Sequence, residues 1–300
     1  MQIIKLLAEN PRITISELSK KLNKSRATIK KKLSKLKIKY ILDLDKSKLN
    51  LDFNIIIKIK LKKPIPEKLL KLGNIPQFIA LTKGDFDLFI YCCTNNPKIY
   101  DKWEIKTREK LNEYIDTWET CIILSERTGF FPLKNEILKS KTQTEKIIKI
   151  LNQNSRTSLK QISKETKLST PLIKYHLNKL IKSKLIKPEI TLSPELYPAQ
   201  LILFRQVTFP KNFIEINKKS REFLKNHLEN ISFSARTIGS WDHCLISVFK
   251  NLDDLYNFQK QFNQINEKRI RKTDSAIILK IISGNLYINP YKKEYKIPKY

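Results

Sequence analysis

Residues 3–36 read IIKLLAENPRITISELSKKLNKSRATIKKKLSKL, and residues 147–180 read IIKILNQNSRTSLKQISKETKLSTPLIKYHLNKL. A shift of 144 positions superposes them without a gap, matching Asn10 with Asn154, Arg12 with Arg156, Ser25 with Ser169 and Leu36 with Leu180. A repeat of this kind governs the reading of the whole fold. Thr14 followed by Glu17 is a capping box, in which hydroxyl and carboxylate each satisfy one orphan amide at a helix start, and Ser158 with Gln161 repeats it. A further helix starts at Ser25 or Ser169, and Ile29, Leu33 and Leu36, or Ile173, Leu177 and Leu180, keep the spacing of one helix face. Each copy is therefore expected to be three short helices, at about 2–9, 15–22 and 26–37, then at about 144–153, 159–166 and 170–182.

A second offset, 155, matches the later parts of the halves: Thr82, Gly84 and Asp87 fall on Thr237, Gly239 and Asp242, and Ile122-Ile123-Leu124 on Ile277-Ile278-Leu279. About eleven extra residues therefore lie between the helices of the second half and Thr237. Here the period changes to that of strands. Phe53 to Leu61, Gln77 to Thr82, Phe86 to Cys93 and Thr117 to Ser125 read as strands, with helices at Pro66 to Leu72 and Lys98 to Tyr114. That order is βαββαβ, a ferredoxin-like sheet with two helices on one face, and Gln200 to Ile282 repeats it. The predicted fold class is α+β, a tandem duplication of a winged-helix-like helix-turn-helix domain followed by a ferredoxin-like domain. The predicted division is 1–45, 50–126, 141–190 and 198–284, with 126–143 as a linker and 285–300 as an extended tail.

Lys and Arg number 59 against 29 Asp and Glu, a formal net charge of +30, which favours a polyanionic partner. With only 5 Gly and 1 Met beside abundant Lys, Asn and Ile, part of that charge reflects a codon bias, so its location has to decide. Lys20 to Lys39 holds ten basic residues and no acidic one, centred on the third predicted helix. Lys164 to Lys187 is basic too, but carries Glu165.

The unit Ile15-Ser16-Glu17-Leu18-Ser19, then Ser25-Arg26-Ala27-Thr28-Ile29, then Leu33 and Leu36, followed by a βαββαβ domain whose hairpin reads Gly84-Asp85-Phe86-Asp87, resembles the Lrp/AsnC family of feast/famine transcription regulators. The resemblance covers nearly the whole chain, twice. It implies a helix-turn-helix that binds double-stranded DNA and a second domain that self-associates and often binds an amino acid or similar effector. The family usually has Gly in the turns before and after its recognition helix; here Asn23 and Lys167 hold the first place, Tyr40 and Lys184 the second. The second hairpin, Gly239-Ser240-Trp241-Asp242, lacks the first acid.

In a helix-turn-helix the second helix of the motif enters the major groove and flanking basic residues hold phosphates. The expected DNA contacts are Ser25, Arg26, Lys30, Lys31 and Lys35 in the first copy and Thr170, Lys174, Tyr175 and Asn178 in the second. Arg26 and Asn178 suit bidentate contact to guanine and adenine. Because the two helices differ, one chain would act as a pseudo-dimer on an asymmetric site. Gly84, Asp85, Asp87, Gly239 and Asp242 either serve tight hairpins or line an effector pocket.

Nothing in the sequence points to catalysis or to a cofactor. His176, His227 and His243 are far apart, Cys92, Cys93, Cys121 and Cys244 lack metal-ligand spacing, and no Ser-His-Asp set or phosphate-binding glycine loop is present. No run of 18 apolar residues exists, and the expected location is the cytoplasm, without a membrane partner. Trp103 and Trp118 are expected to pack in their own domain, and Trp241 to be partly exposed. Two alternatives stand beside the regulator: an enzyme similar to the siroheme decarboxylases, which pair Lrp-type units, and a general nucleoid or RNA-binding protein. Against the last, Phe86 to Cys93 lacks the aromatic pattern of RNA-binding sheets.

Overall fold

Side-chain caps set where the helices begin. Thr14 accepts the Glu17 amide at 3.1 Å while the Glu17 carboxylate accepts the Thr14 amide at 2.7 Å, which starts α2 at Ile15–Leu22 after α1 at Gln2–Glu9. Ser25 accepts the Thr28 amide at 3.1 Å and starts α3, Arg26–Lys35. This computed structural model describes residues 2–193, 199–206, 213–266, 270–289 and 291. The second set of helices is α5 Gln143–Gln153, α6 Leu159–Thr166 and α7 Thr170–Lys182. Only half of the expected Ser158 box forms, because the Gln161 side chain turns to Glu165 at 2.7 Å; a complete box caps α5 at Thr142 and Glu145.

The five consecutive segments expected from sequence are regrouped into two units, each built from two stretches of chain: Met1–Asn50 with Pro132–Ser193, and Leu51–Phe131 with Pro194–Tyr300. In the first unit, β1 (Lys39–Leu44) pairs antiparallel with β6 (Ile186–Thr191) from Lys39↔Thr191 to Leu44↔Ile186. Each helical set thus supplies one strand of a shared ribbon. Ile3, Leu7, Ile13, Leu18 and Ile29 form a core with Ile190 of the other set. The turn after α2 uses Asn23 at φ 47° and that after α6 Lys167 at φ 59°, the left-handed places expected. The place after α3 is Lys37 at φ 44°, not Tyr40, which lies in β1; after α7 it is Lys184 at φ 55°. The reason is length: α3 has 10 residues and α7 has 13.

The second unit is a closed barrel. Its strands are β2 Phe53–Leu61, β3 Pro76–Gly84, β4 Leu88–Thr94, β5 Ile115–Gly129, β7 Ala199–Gln206, β8 Ile231–Gly239, β9 His243–Val248 and β10 Ile270–Ser283, in the order β10-β3-β4-β2-β5-β8-β9-β7. The first half contributes β3-β4-β2-β5 and the second β8-β9-β7-β10, the same antiparallel order, with β5 pairing β8 and β10 pairing β3. Among the described strands of the barrel, closure leaves no free edge for another chain to extend. Side chains alternate: Ile55, Ile57, Ile59, Ile79, Leu88 and Ile90 pack with Tyr100 and Leu111 of α4, Pro97–Leu111. The opposite face sends Phe78, Tyr91 and Phe233 to Phe131, with ring centroids 4.4 to 5.0 Å apart. In the second half, α8 (Phe213–Asn226) and α9 (Leu252–Asn266) bring Phe223, Phe258 and Phe262 against Ile231 and Leu245.

Three expectations are corrected here. Pro66 to Leu72 is not an α-helix but a single 3-10 turn at Glu67–Leu70; in the second half α8 occupies the matching place between β7 and β8, which accounts for extra residues there. Residues 126–129 are not linker but the end of β5, and Phe131 fills the barrel. The segment expected as a separate extended tail packs within the second unit at residues 286–289, which are buried: the Tyr287 ring lies tilted against Phe130 with centroids 4.5 Å apart, and its carbonyl accepts the Ser232 hydroxyl at 2.5 Å. Residues 292–300 lie outside the described residues.

Candidate nucleic-acid interface

Burial of Ile29 in α3, and of Ile173, Leu177 and Leu180 in α7, turns the opposite faces outward. The nine expected contact residues, Ser25, Arg26, Lys30, Lys31, Lys35, Thr170, Lys174, Tyr175 and Asn178, are all exposed. Ser25 is committed to capping, since its hydroxyl takes the Thr28 amide and lies 2.9 Å from the Thr28 hydroxyl. Tyr175 is 60% exposed, with its ring edge-on to His176 at 5.7 Å, and His176 Nδ1 lies 3.3 Å from Thr144 Oγ1 of α5. Between Arg26 and Lys35, α3 carries five basic residues; α7 carries Lys174, Lys179 and Lys182 beside Tyr175 and Asn178.

The two stretches of the first unit each hold 14 Lys and Arg against 4 Asp and Glu, so 112 of the 300 residues carry +20 of the net +30. Several of its acids are occupied locally. Glu17 and Glu145 sit in the capping boxes, where the Thr14 and Thr142 amides lower their pKa values. Asp45 pairs with Lys48 at 2.9 Å and Glu189 with Lys187 at 3.0 Å. The field presented by this unit is therefore strongly positive, as a phosphate backbone requires.

The hairpin residues are engaged in the barrel. Asp85 accepts the Ser275 amide at 2.7 Å, and Asp87 accepts the Leu61 amide at 2.9 Å and Lys60 at 3.3 Å. A Cβ on Gly84 would run into the Ser275 carbonyl and the Ala276 backbone, and one on Gly239 would lie 2.7 Å from the Thr120 carbonyl. Ser275 and Thr120 are related by the offset of 155, so the two hairpins press on equivalent strands. Asp242 accepts the Thr237 amide through its carbonyl at 2.8 Å. Trp241 is not exposed but buried: its indole donates to Glu119 at 2.8 Å, and Lys58 Nζ lies 4.2 Å from its ring centroid.

Sequence reasoning noted Arg12 and Arg156 only as matching letters, whereas in the structure each reaches the other's turn. Arg12 donates to the carbonyls of Ser155 and Thr157, the latter at 3.0 Å; Arg156 donates to the Ile13 carbonyl and to the Tyr40 hydroxyl at 2.7 Å. The signal was an Arg kept at the same place in both copies. No group of His, Cys, Asp and Glu among the described residues could hold a metal ion, and no described helix is long and apolar enough to cross a membrane.

The winged helix-turn-helix DNA-binding family matches residues 1–37 and again 142–187. The HTH-type transcriptional regulator LysM of Sulfurisphaera tokodaii is 27% identical over 143 residues, 45% of this chain and 92% of that protein. Across nearly the whole chain the fold is similar to that of the siroheme decarboxylase NirDL: TM-score 0.57, 11% identity, 96% of this chain and 94% of that one. Its complex with an iron-uroporphyrin III analogue gives the same score at 12% identity, over 92% of this chain and 88% of that one. At such identities the likeness is one of fold. An AsnC family transcriptional regulator from Agrobacterium tumefaciens, 21% identical, covers 47% of this chain and 91% of its own at a TM-score of 0.40. The chain is thus an α+β protein with a winged helix-turn-helix DNA-binding match in each half, and 45% of its length is similar to a transcriptional regulator.

Proposed function

We propose that this chain is a sequence-specific double-stranded-DNA-binding transcription regulator that acts as a pseudo-dimer within one polypeptide. The observation that carries the reading is the pairing of two exposed recognition helices, α3 and α7, in a unit of net charge +20. The first copy, through Lys30, Lys31 and Lys35, supplies chiefly phosphate affinity, with Arg26 placed for a guanine contact, while Tyr175 and Asn178 of the second supply more of the base readout, with Thr170 and Lys174 at its edge. Unlike helices favour an asymmetric operator over a palindrome. The role is binding, not catalysis. An amino-acid-sized effector at the Gly84-Asp85-Asp87 and Gly239-Asp242 hairpins is the weaker part of the reading, since Asp85 and Asp87 already serve the barrel. Self-association would use the faces of the βαββαβ halves.

The test is fluorescence anisotropy of the full chain with its own upstream DNA and a scrambled duplex across salt concentrations. A preference for the upstream DNA with a steep salt slope is expected; equal affinity for both duplexes would instead mark a nucleoid-type binder. A second reading, an enzyme akin to the siroheme decarboxylases, is favoured by the fold likeness at a TM-score of 0.57. Tetrapyrrole absorbance in the purified protein, with no DNA binding at moderate salt, would select it.

A further inference from the structure

The turns that precede α2 and α6 are built alike. In each, an Asn side chain accepts the amide of the Arg two residues on, Asn10 from Arg12 at 3.1 Å and Asn154 from Arg156 at 2.9 Å. The guanidiniums then cross: Arg12 to Ser155 and Thr157, Arg156 to Ile13 and Tyr40, with the Tyr40 ring 5.0 Å beneath Arg156. The Ser155 amide donates to the Tyr40 carbonyl at 3.1 Å. A planar guanidinium presents its donors in a fixed fork that sets the geometry of two acceptors at once, whereas an ammonium's three donors swivel on a flexible stem. Bringing two such cations together is costly in itself: burial, and then the charge of Arg156, lowers the pKa of Arg12.

Each turn is followed directly by the helix that supports a recognition helix, α2 beneath α3 and α6 beneath α7, and the β1–β6 ribbon joins the same two modules. Displacing one helical set as a body against the other would break the crossed guanidinium bonds and the ribbon. We propose that Arg12 and Arg156 form a reciprocal latch that holds α3 and α7 at one separation, so that the chain accepts a DNA site with one fixed spacing of its two half-sites. Both are positioning residues. Their role rests on the DNA-binding reading above.

The experiment begins with in vitro selection by the full chain from a duplex pool with a random core. Duplexes carrying the recovered half-sites are then spaced further apart, up to about half a helical turn, and titrated by anisotropy. The wild-type chain is expected to lose about tenfold or more in affinity with the added spacing. The Arg12→Lys/Arg156→Lys chain keeps its charge and hence its salt slope, and its spacing preference should flatten to within about threefold. Wild-type affinity independent of spacing, which requires no variant, overturns the latch. So does a folded double variant, or Arg12→Lys alone, that keeps the wild-type spacing profile. A pool that yields no preferred sequence is a different failure: it removes the DNA-reading function on which the latch depends.

Discussion

Lys58 of β2 and Asp274 of β10 form an ion pair inside the barrel, joining the first half of the chain to the second with both side chains nearly excluded from solvent, at 7% and 11% exposure. Glu119, opposite Lys58 in the β2–β5 register, lies 3.1 Å from the same ammonium, and the Trp241 ring covers it. Glu119 and Asp274 are equivalent positions under the offset of 155, so two related acids grip one cation. Removing Lys58 leaves a buried carboxylate without its counter-charge. Lys58→Ala should therefore destabilise the protein by about 3–5 kcal/mol, whereas Lys58→Met with Asp274→Leu should cost far less. Urea unfolding of the two variants checks this; equal losses would mean that packing, not charge, dominates the site.

Gly84 distinguishes a structural hairpin from a ligand site. A side chain there meets the Ser275 carbonyl and the Ala276 backbone at φ 149°, while Gly73, at φ 79°, has open space around its missing Cβ. Gly73→Ala should cost only the left-handed backbone term, about 1 kcal/mol. Gly84→Ala must also push β10 away and should cost about 2–3 kcal/mol or more. Denaturant midpoints of the two variants give the comparison, and similar midpoints would sink the close-packed account of this hairpin.

How far the sequence could be read follows from the range of each interaction. The helices of the first unit were legible to within a few residues because their signals are local: Thr14 with Glu17, Ser25, and apolar residues on one face. The strands of the ferredoxin-like halves were legible from their period of two, except where Pro66 to Leu72 mimicked a helix too short to propagate. The β1–β6 ribbon was not, since Lys39 finds its partner at Thr191, and Trp241 was misplaced because the acid that receives its indole lies 122 positions away. Arg12 and Arg156 show the same limit: a repeated letter marks a place worth keeping, and only the fold reveals that each guanidinium serves the other copy.

The exposed faces of α3 and α7 permit the proposed division of labour to be tested without loss of stability. Lys30→Ala with Lys31→Ala removes two side chains that face solvent on α3. Affinity should fall on all duplexes, and the slope of log K against log salt should shrink by about two. Asn178→Ala on α7 should instead relax preference at one base pair, by about 1–3 kcal/mol, with the slope unchanged. Anisotropy titrations of both variants on specific and scrambled duplexes decide the matter; equal loss of specificity in both would overturn the division.

His243, at the start of β9, gives the barrel an acid-side limit. Burial is the main reason its pKa falls to about 4 from 6.5, with Arg127 and Arg236 adding to the fall and Asp242 opposing it. The folded protein thus keeps the ring neutral between these values while the unfolded chain protonates it. The sign follows: this contribution is fully present above pH 6.5, shrinks as the pH falls through 6.5, and is exhausted below about pH 4. At pH 5 the loss from this group should be about 2 kcal/mol. A His243→Gln chain, which cannot take up that proton, should show a shallower decline in urea midpoint between pH 7 and pH 5 than the wild type. Parallel declines would place the acid sensitivity elsewhere.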